Sequence, residues 1–308
     1  MTRRVQFMTL IACLAASIAG DARAQTGPAR TPRILGARPA TPDVGVKIWV
    51  PSGSARLIGW DRDSIVVRGR VASNGNFFFA RGRDKSAYKL GVEPRGHHGD
   101  VGPSDLVIYV PRRAGVSIKT VDGTITAEGV GGWFYSVSGA IRLAGDAEHV
   151  EAESITGDID LDVTSMLVKA RTGRGHMTVR GSPEDVDAST VSGPLDVESP
   201  AIRRGRFSSV TGNLRYEANP VPGSIFDFSD HAGTVDLLLP RSASSRLDLS
   251  TVTGFIQGGG PLRRDDPNSL RQIRPASAGG QTLTVRLGAG EAHMTVRTFK
   301  GAIRLLPK

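Results

Sequence analysis

Five carboxylates lie close together near the middle of the chain: Glu151 and Glu153, then Asp158, Asp160 and Asp162. The three aspartates alternate along an apolar strand, which aims them to one side, where they could seat calcium or grip sugar hydroxyls. Between the two groups, Ser154-Ile155-Thr156-Gly157 places a hydroxyl near a glycine, which in isolation invites a nucleophile. A serine nucleophile needs a base, and the six histidines, at 97, 98, 149, 176, 231 and 293, recur at no fitting position. Their spacing does not make a zinc set either. No P-loop, dinucleotide fingerprint or nucleophile elbow stands in a fitting context. The sequence therefore assigns no catalytic residue, no metal ligand and no cofactor, and outward acids on a solvated strand are the default for Asp158, Asp160 and Asp162.

What must position these residues is a repeat of the form φ-x-φ-x-[Ser/Thr]-φ-x-Gly-x-φ-x-φ, with φ apolar. Its glycines are Gly123, Gly139, Gly157, Gly173, Gly193, Gly212, Gly233, Gly254 and Gly301, most of them 16 to 21 residues apart. Apolar residues recur seven and five positions before the glycine, as in Val116 and Ile118. They recur again two before, two after and four after, as in Ile155, Ile159 and Leu161. Strands have period two, so the change of parity between positions minus three and minus two means that the chain turns a corner there. Each repeat reads as two short strands whose apolar face only stacking can bury. The expected fold is all-β, a parallel β-solenoid of about nine short coils preceded by further N-terminal strands.

The corner column at minus three is Thr120, Ser136, Ser154, Ala170, Thr190, Ser209, Asp230, Thr251 and Thr298, a hydroxyl ladder suited to satisfying bent backbone. The marker glycine is expected because it enters left-handed backbone freely and lets corners approach closely. Two coils break the pattern. Arg171-Thr172-Gly173-Arg174-Gly175-His176 puts Arg171 in an apolar column, and Asp230-His231-Ala232-Gly233 does the same with His231. A local bulge or a strand near an open end is expected at each, with a binding spot as the alternative.

In chain order, residues 1–24 read as a signal peptide: Arg3-Arg4, an apolar run from Val5 to Gly20, and Ala22-Arg23-Ala24 as the cleavage site. The run is too short to span a membrane, and no transmembrane segment is expected. The chain's single cysteine, Cys13, lies in this run, and Leu10-Ile11-Ala12-Cys13 also fits a lipobox, so lipoprotein anchoring through Cys13 is the alternative to export as a free chain. Residues 25–43, rich in proline, read as a flexible leader outside the core. An N-terminal β region follows at 44–115, then the repeats at 116–257, an exposed loop insertion at 258–281 and a C-terminal coil and cap at 282–308. Without residues 1–24 the chain carries 36 basic and 29 acidic residues, a net charge of +7. Such a balance suits anionic envelope polymers or envelope proteins as partners. Scattered basic residues and few aromatics argue against nucleic acid.

Thr120-Val121-Asp122-Gly123-Thr124-Ile125, Ser136-Val137-Ser138-Gly139, Thr190-Val191-Ser192-Gly193 and Thr251-Val252-Thr253-Gly254 resemble the repeats of the bacterial putative-adhesin family of β-strand repeat proteins, a domain of unknown function. Val50-Pro51-Ser52-Gly53 followed by Gly59-Trp60-Asp61 is similar to the opening of those domains. The resemblance spans about residues 44 to 308. It implies an exported envelope or surface protein with an adhesin-like solenoid for binding or scaffolding, and it carries over no catalytic residue. A polysaccharide lyase or hydrolase on a β-helix is one alternative, and a periplasmic scaffold for a partner complex is another.

Overall fold

A computed structural model describes residues 33–82, 87–96, 99–258, 270–275 and 280–308. Residues 1–24, with Cys13 and the cleavage site, lie outside the described residues. The described chain is all-β and contains no helix, so none is long and apolar enough to cross a membrane. Its strands join one 25-stranded sheet of mixed orientation that nearly closes on itself.

Within the repeats the pairing is parallel and in register. Ser136 lies beside Thr120 and Ser154, and Ser154 lies beside Thr172, which lies beside Thr190. A second ladder runs alongside: Ile141 pairs with Ile125 and Ile159, and Ile159 with Met177. Strands Ile159–Thr172 and Met177–Thr190 run through both ladders. Alternation sends Val116, Ile118, Phe134, Val150 and Ala152 inward from the first wall and Ile125, Ile141, Leu143, Ile159 and Leu161 inward from the second, all buried. Toward the far end aromatic rings fill the gap: Phe207 stacks on Phe228 at 5.1 Å, and Tyr216 meets Phe226 at 5.1 Å.

Register corrects the sequence reading at one coil. Val150, Ala152 and Ser154 face Val168, Ala170 and Thr172, so the marker of that coil is Gly175 and not Gly173. With the frame moved by two, Met177 and Val179 take the apolar columns, Met166 and Arg171 point outward, and no bulge is needed. His231 likewise sits outside, in a coil whose register is unbroken.

The larger correction concerns the corner. The hydroxyl column at minus three is buried, and the apolar column at minus two is not: Ile155 is 50 % exposed, and Val121, Val191, Val210, Val252 and Phe299 stand out beside it. The inward set runs minus seven, minus five, minus three, then zero, plus two, plus four, so the parity changes after the hydroxyl. At Thr120, Ser154, Thr172, Ser209 and Thr251 the hydroxyl oxygen accepts the amide of the glycine three residues on, as in Gly157 N to Ser154 Oγ and Gly212 N to Ser209 Oγ, both 2.8 Å, whereas Thr190 and Thr298 donate to the carbonyls of Gly193 and Gly301. Losing such a buried cap leaves the amide without a partner. Ser154→Ala should therefore lower stability by about 1–2 kcal/mol, measured as the denaturant midpoint at unchanged slope.

Glycine is required at the marker for space and not for handedness, since none of these glycines except Gly53 has positive φ. A Cβ on Gly139, Gly157, Gly175, Gly193, Gly212 or Gly233 would overlap the carbonyl oxygen of the preceding marker glycine. Gly53 extends the same column by one coil into the N-terminal region, beside Gly123.

Antiparallel strands close both ends. At the start, Gly75–Arg81 pairs with Ala87–Pro94, and Ser64–Arg70 lies between Ser104–Pro111 and Ile34–Pro39. The leader expected to stay outside the core thus contributes strand Ile34–Pro39, and Leu35 packs against the interior. At the other end, Gln281–Leu287 pairs antiparallel with Ser245–Thr251 and with Leu270–Pro275. The segment expected as a loop at 258–281 therefore contains a strand. Strand Ala292–Thr298 is inserted between Ile225–Asp230 and Ser245–Thr251, so the last coil in sequence is the penultimate one in space.

Candidate functional site

The five carboxylates do not form one row. Glu151 and Glu153 lie on strand His149–Ser154, before the corner, whereas Asp158, Asp160 and Asp162 follow it on the other wall. Glu153 faces Arg171 at 3.9 Å, Asp160 pairs with Arg180 at 2.5 Å, and Asp158 Oδ1 accepts the amide of His176 at 2.8 Å. Among the described residues no group of three or more His, Cys, Asp or Glu side chains could hold a metal ion. His176 and His293 lie against Asp196 and Asp248 in separate surface pairs.

Chemistry gathers instead at the N-terminal end of the first wall. The strands run side by side in the order Gly75–Arg81, Ala87–Pro94, Gly45–Trp49, Gly115–Thr120, Gly132–Ser136. Each buries alternate apolar residues, so Val46 and Ile48 drive Lys47 outward, Tyr88 and Leu90 do the same for Lys89, and Ile118 and Thr120 for Lys119. Register then places Lys47 beside Lys89, Trp49 beside Lys119, and Lys119 beside Tyr135.

Gly91, with φ of +154°, lies between Phe78 and Trp49 in the ladder. A side chain there would collide with the backbone of Trp49, and a groove of about 230 Å³ is lined by both aromatic residues. Lys47, Lys89 and Lys119 rim this groove with Ser117, and no carboxylate lines it. The Lys119 ammonium sits 4.8 Å from the Trp133 ring centre and 6.0 Å from that of Tyr135, and these rings stack at 5.6 Å. The ring faces hold the ammonium through their quadrupoles and leave its other donors free for an anion. Three of the chain's seven lysines meet here, so the local potential is positive.

A second aromatic patch lies on the opposite wall at the same end. Trp60 and Tyr109 pack at 5.1 Å with Arg62 and Arg68 over their rings, at 5.2 and 5.8 Å. All three tryptophans, Trp49, Trp60 and Trp133, are thus in the first coils. Flat rings offer stacking surface, and lysine and arginine offer charge for carboxylate, sulfate or phosphate groups. The sequence reading missed the lysine groove because its residues come from four strands. The available signal was a lysine set between inward residues in Val46-Lys47-Ile48, Tyr88-Lys89-Leu90 and Ile118-Lys119-Thr120.

No protein-family model matches the chain, and no curated protein sequence matches it. Several solved structures do. One is a putative cell adhesion protein from Clostridium sporogenes, 11 % identical, covering 90 % of this chain and 100 % of its own, with a TM-score of 0.23. Another is a putative adhesin from Bacteroides fragilis, 10 % identical over 90 % and 97 % of the two chains, with a TM-score of 0.37. A putative lipid binding protein from Parabacteroides distasonis is 10 % identical over 90 % and 98 %, with a TM-score of 0.47.

Proposed function

We propose that the chain is an exported, non-enzymatic envelope or surface protein, a β-solenoid with capped ends that binds anionic envelope polymers at the lysine groove. The observation that carries this reading is the convergence of Lys47, Lys89 and Lys119 on Trp49 and Phe78 in a groove without a carboxylate. Uronic acid or sulfated sugars suit it: ring faces stack on the aromatic residues while the acidic groups meet the ammonium ions. The in-register ladders supply a rigid wall, so the groove needs little ordering on binding. Export rests on the signal-peptide pattern at residues 1–24 and on the resemblance of the repeats. Binding without turnover is consistent with a groove that lacks the paired carboxylates of glycoside hydrolysis.

Titration of polygalacturonate into the protein tests this. Saturable binding is expected that weakens steeply between low and physiological salt, because exposed charges are screened beyond about 8 Å at 0.15 M. A neutral polymer of the same length should bind weakly or not at all. Progressive shortening of polygalacturonate by the pure protein would replace this reading with the polysaccharide-acting enzyme.

A further inference from the structure

The corner residues two before each marker glycine form a ridge along the edge of the molecule. In spatial order the ten positions begin at Pro51 and Val121, pass through Ile155, Gly173, Val191 and Val210 in the middle, and end with Phe299 and Val252. Inter-coil hydrogen bonds hold the ridge straight, including Arg174 N to the Ile155 carbonyl and Ser192 N to the Gly173 carbonyl. The ridge is mostly apolar, with Val121, Ile155, Val191, Val210, Phe299 and Val252 exposed and the His231 ring stacked on Phe299 at 5.0 Å within it, and a largely apolar edge of this length is unusual on a lone chain.

The ridge is its own complement when reversed. Its midpoint falls between Gly173, which has no side chain, and Val191, which is 54 % exposed. A two-fold axis there sets Val191 of one copy over the Gly173 notch of the other, and Ile155 beside Val210. The notch opens onto a groove of about 550 Å³ lined by Ile155, Gly173, Val191 and Val210. The charges beside the ridge obey the same symmetry. Asp122 follows Val121 near one end and Lys300 follows Phe299 near the other, both exposed, and reversal brings them together twice. Arg174 falls opposite Ser192. Lys119 and Arg297 also approach one another, set back from the ridge, but Lys119 lies over Trp133 and Arg297 faces Asp227 at 3.4 Å.

We infer that a second copy of this chain is the partner of the ridge, paired antiparallel about the Gly173–Val191 midpoint. A band about 40 Å long and 15 Å wide buries roughly 1,200 Å² over both copies, at the low end for a specific interface, so micromolar dimerisation is expected. The pairing reaches Lys119 on one rim of the lysine groove, but Asp122, Ile155, Val191, Val210 and Lys300 do not line that groove, so variants at these positions test the pairing apart from polymer binding.

Sedimentation equilibrium should show a monomer–dimer equilibrium for the full chain. Val191→Asp should weaken it about tenfold or more. Asp122→Lys alone should weaken it and Asp122→Lys with Lys300→Asp should restore it. In a Cys13→Ser background, a mixture of Ile155→Cys and Val210→Cys chains should oxidise mainly to the mixed disulfide, which also keeps the test sound if a charge variant folds poorly. A monomer at millimolar concentration, failure of the charge swap to rescue, or a preference for like-with-like disulfides would each overturn the antiparallel pairing.

Discussion

Gly193→Val should lower the thermal midpoint by about 6–12 °C, corresponding to a loss of about 3 kcal/mol or more in a chain of this size. A Cβ at Gly193 lands inside contact distance of the Gly175 carbonyl and close to that of Arg174, both backbone atoms locked in the ladder. Neither can step aside without breaking register, and valine adds two methyl groups to the overlap. Gly157→Val should behave alike, since its Cβ meets the Gly139 and Ser138 carbonyls. Gly115→Ala is the control: nothing lies near its Cβ and its φ is not positive, so its effect should stay within about 0.5 kcal/mol. Differential scanning calorimetry of the three variants checks this. Equal midpoints for Gly193→Val and Gly115→Ala would refute close-packed corners. Strands of the repeats pair mainly with those of adjacent repeats, so unfolding with more than one transition is an acceptable outcome for the damaged variants.

Asp230→Thr should stabilise the protein by as much as roughly 3 kcal/mol at pH 7.5 and change little at pH 4. Asp230 stands in the buried hydroxyl ladder between Ser209 and Thr298, and only 4 % of it is exposed. Neither carboxyl oxygen has a hydrogen bond of good geometry. Burial pushes its pKa up to about 6, against the opposing pull of the Gly233 and His231 amides and the Ser209 hydroxyl. Between about pH 4 and 6 the folded carboxyl keeps a proton that the unfolded one has lost. Folding is therefore favoured at the acid end, and stability falls as pH rises through that window, then levels off. A threonine has no charge to bury and reproduces the cap seen at Thr251, whose Oγ1 accepts the Gly254 amide. Urea midpoints from pH 4 to 8 should slope downward for the natural chain and lose that component in Asp230→Thr. Destabilisation of the variant at pH 7.5 would mean that the carboxylate has a partner worth more than its burial.

The repeat was legible because stacking forces like residues into like places. The columns at minus seven, minus five, plus two and plus four read correctly as core: Ile118, Ala152, Ile159 and Leu161 are all buried. The corner was not legible, because an apolar residue at a convex edge has the same composition as one in the interior. Ile155 and Val191 were counted inward although the chain turns after the hydroxyl and leaves them outside. The glycine frame at 173 or 175 was equally ambiguous locally, since Arg171-Thr172-Gly173-Arg174-Gly175 offers two markers and only the neighbouring strands decide between them. In the sequence Asp230 is one member of the corner column, beside His231 as the break in the pattern, and nothing local marks it as a buried charge. The groove escaped for a different reason: Lys47, Lys89 and Lys119 are brought together by pairings across 42 residues of chain, Lys47 to Lys89, and 70 residues, Trp49 to Lys119, and one of those ladders is shared with a cap that has no repeat signature.

The most direct test of polymer binding is calorimetric titration of polygalacturonate into four proteins at low salt: the natural chain, Trp49→Ala, the Lys47→Ala/Lys89→Ala/Lys119→Ala triple variant, and Arg203→Ala as an exposed basic control away from the groove. The groove reading predicts a loss of about tenfold or more for Trp49→Ala, still larger for the triple lysine variant, and little change for Arg203→Ala. Equal affinity across all four, or affinity that tracks net charge alone with Trp49→Ala unchanged, would contradict it.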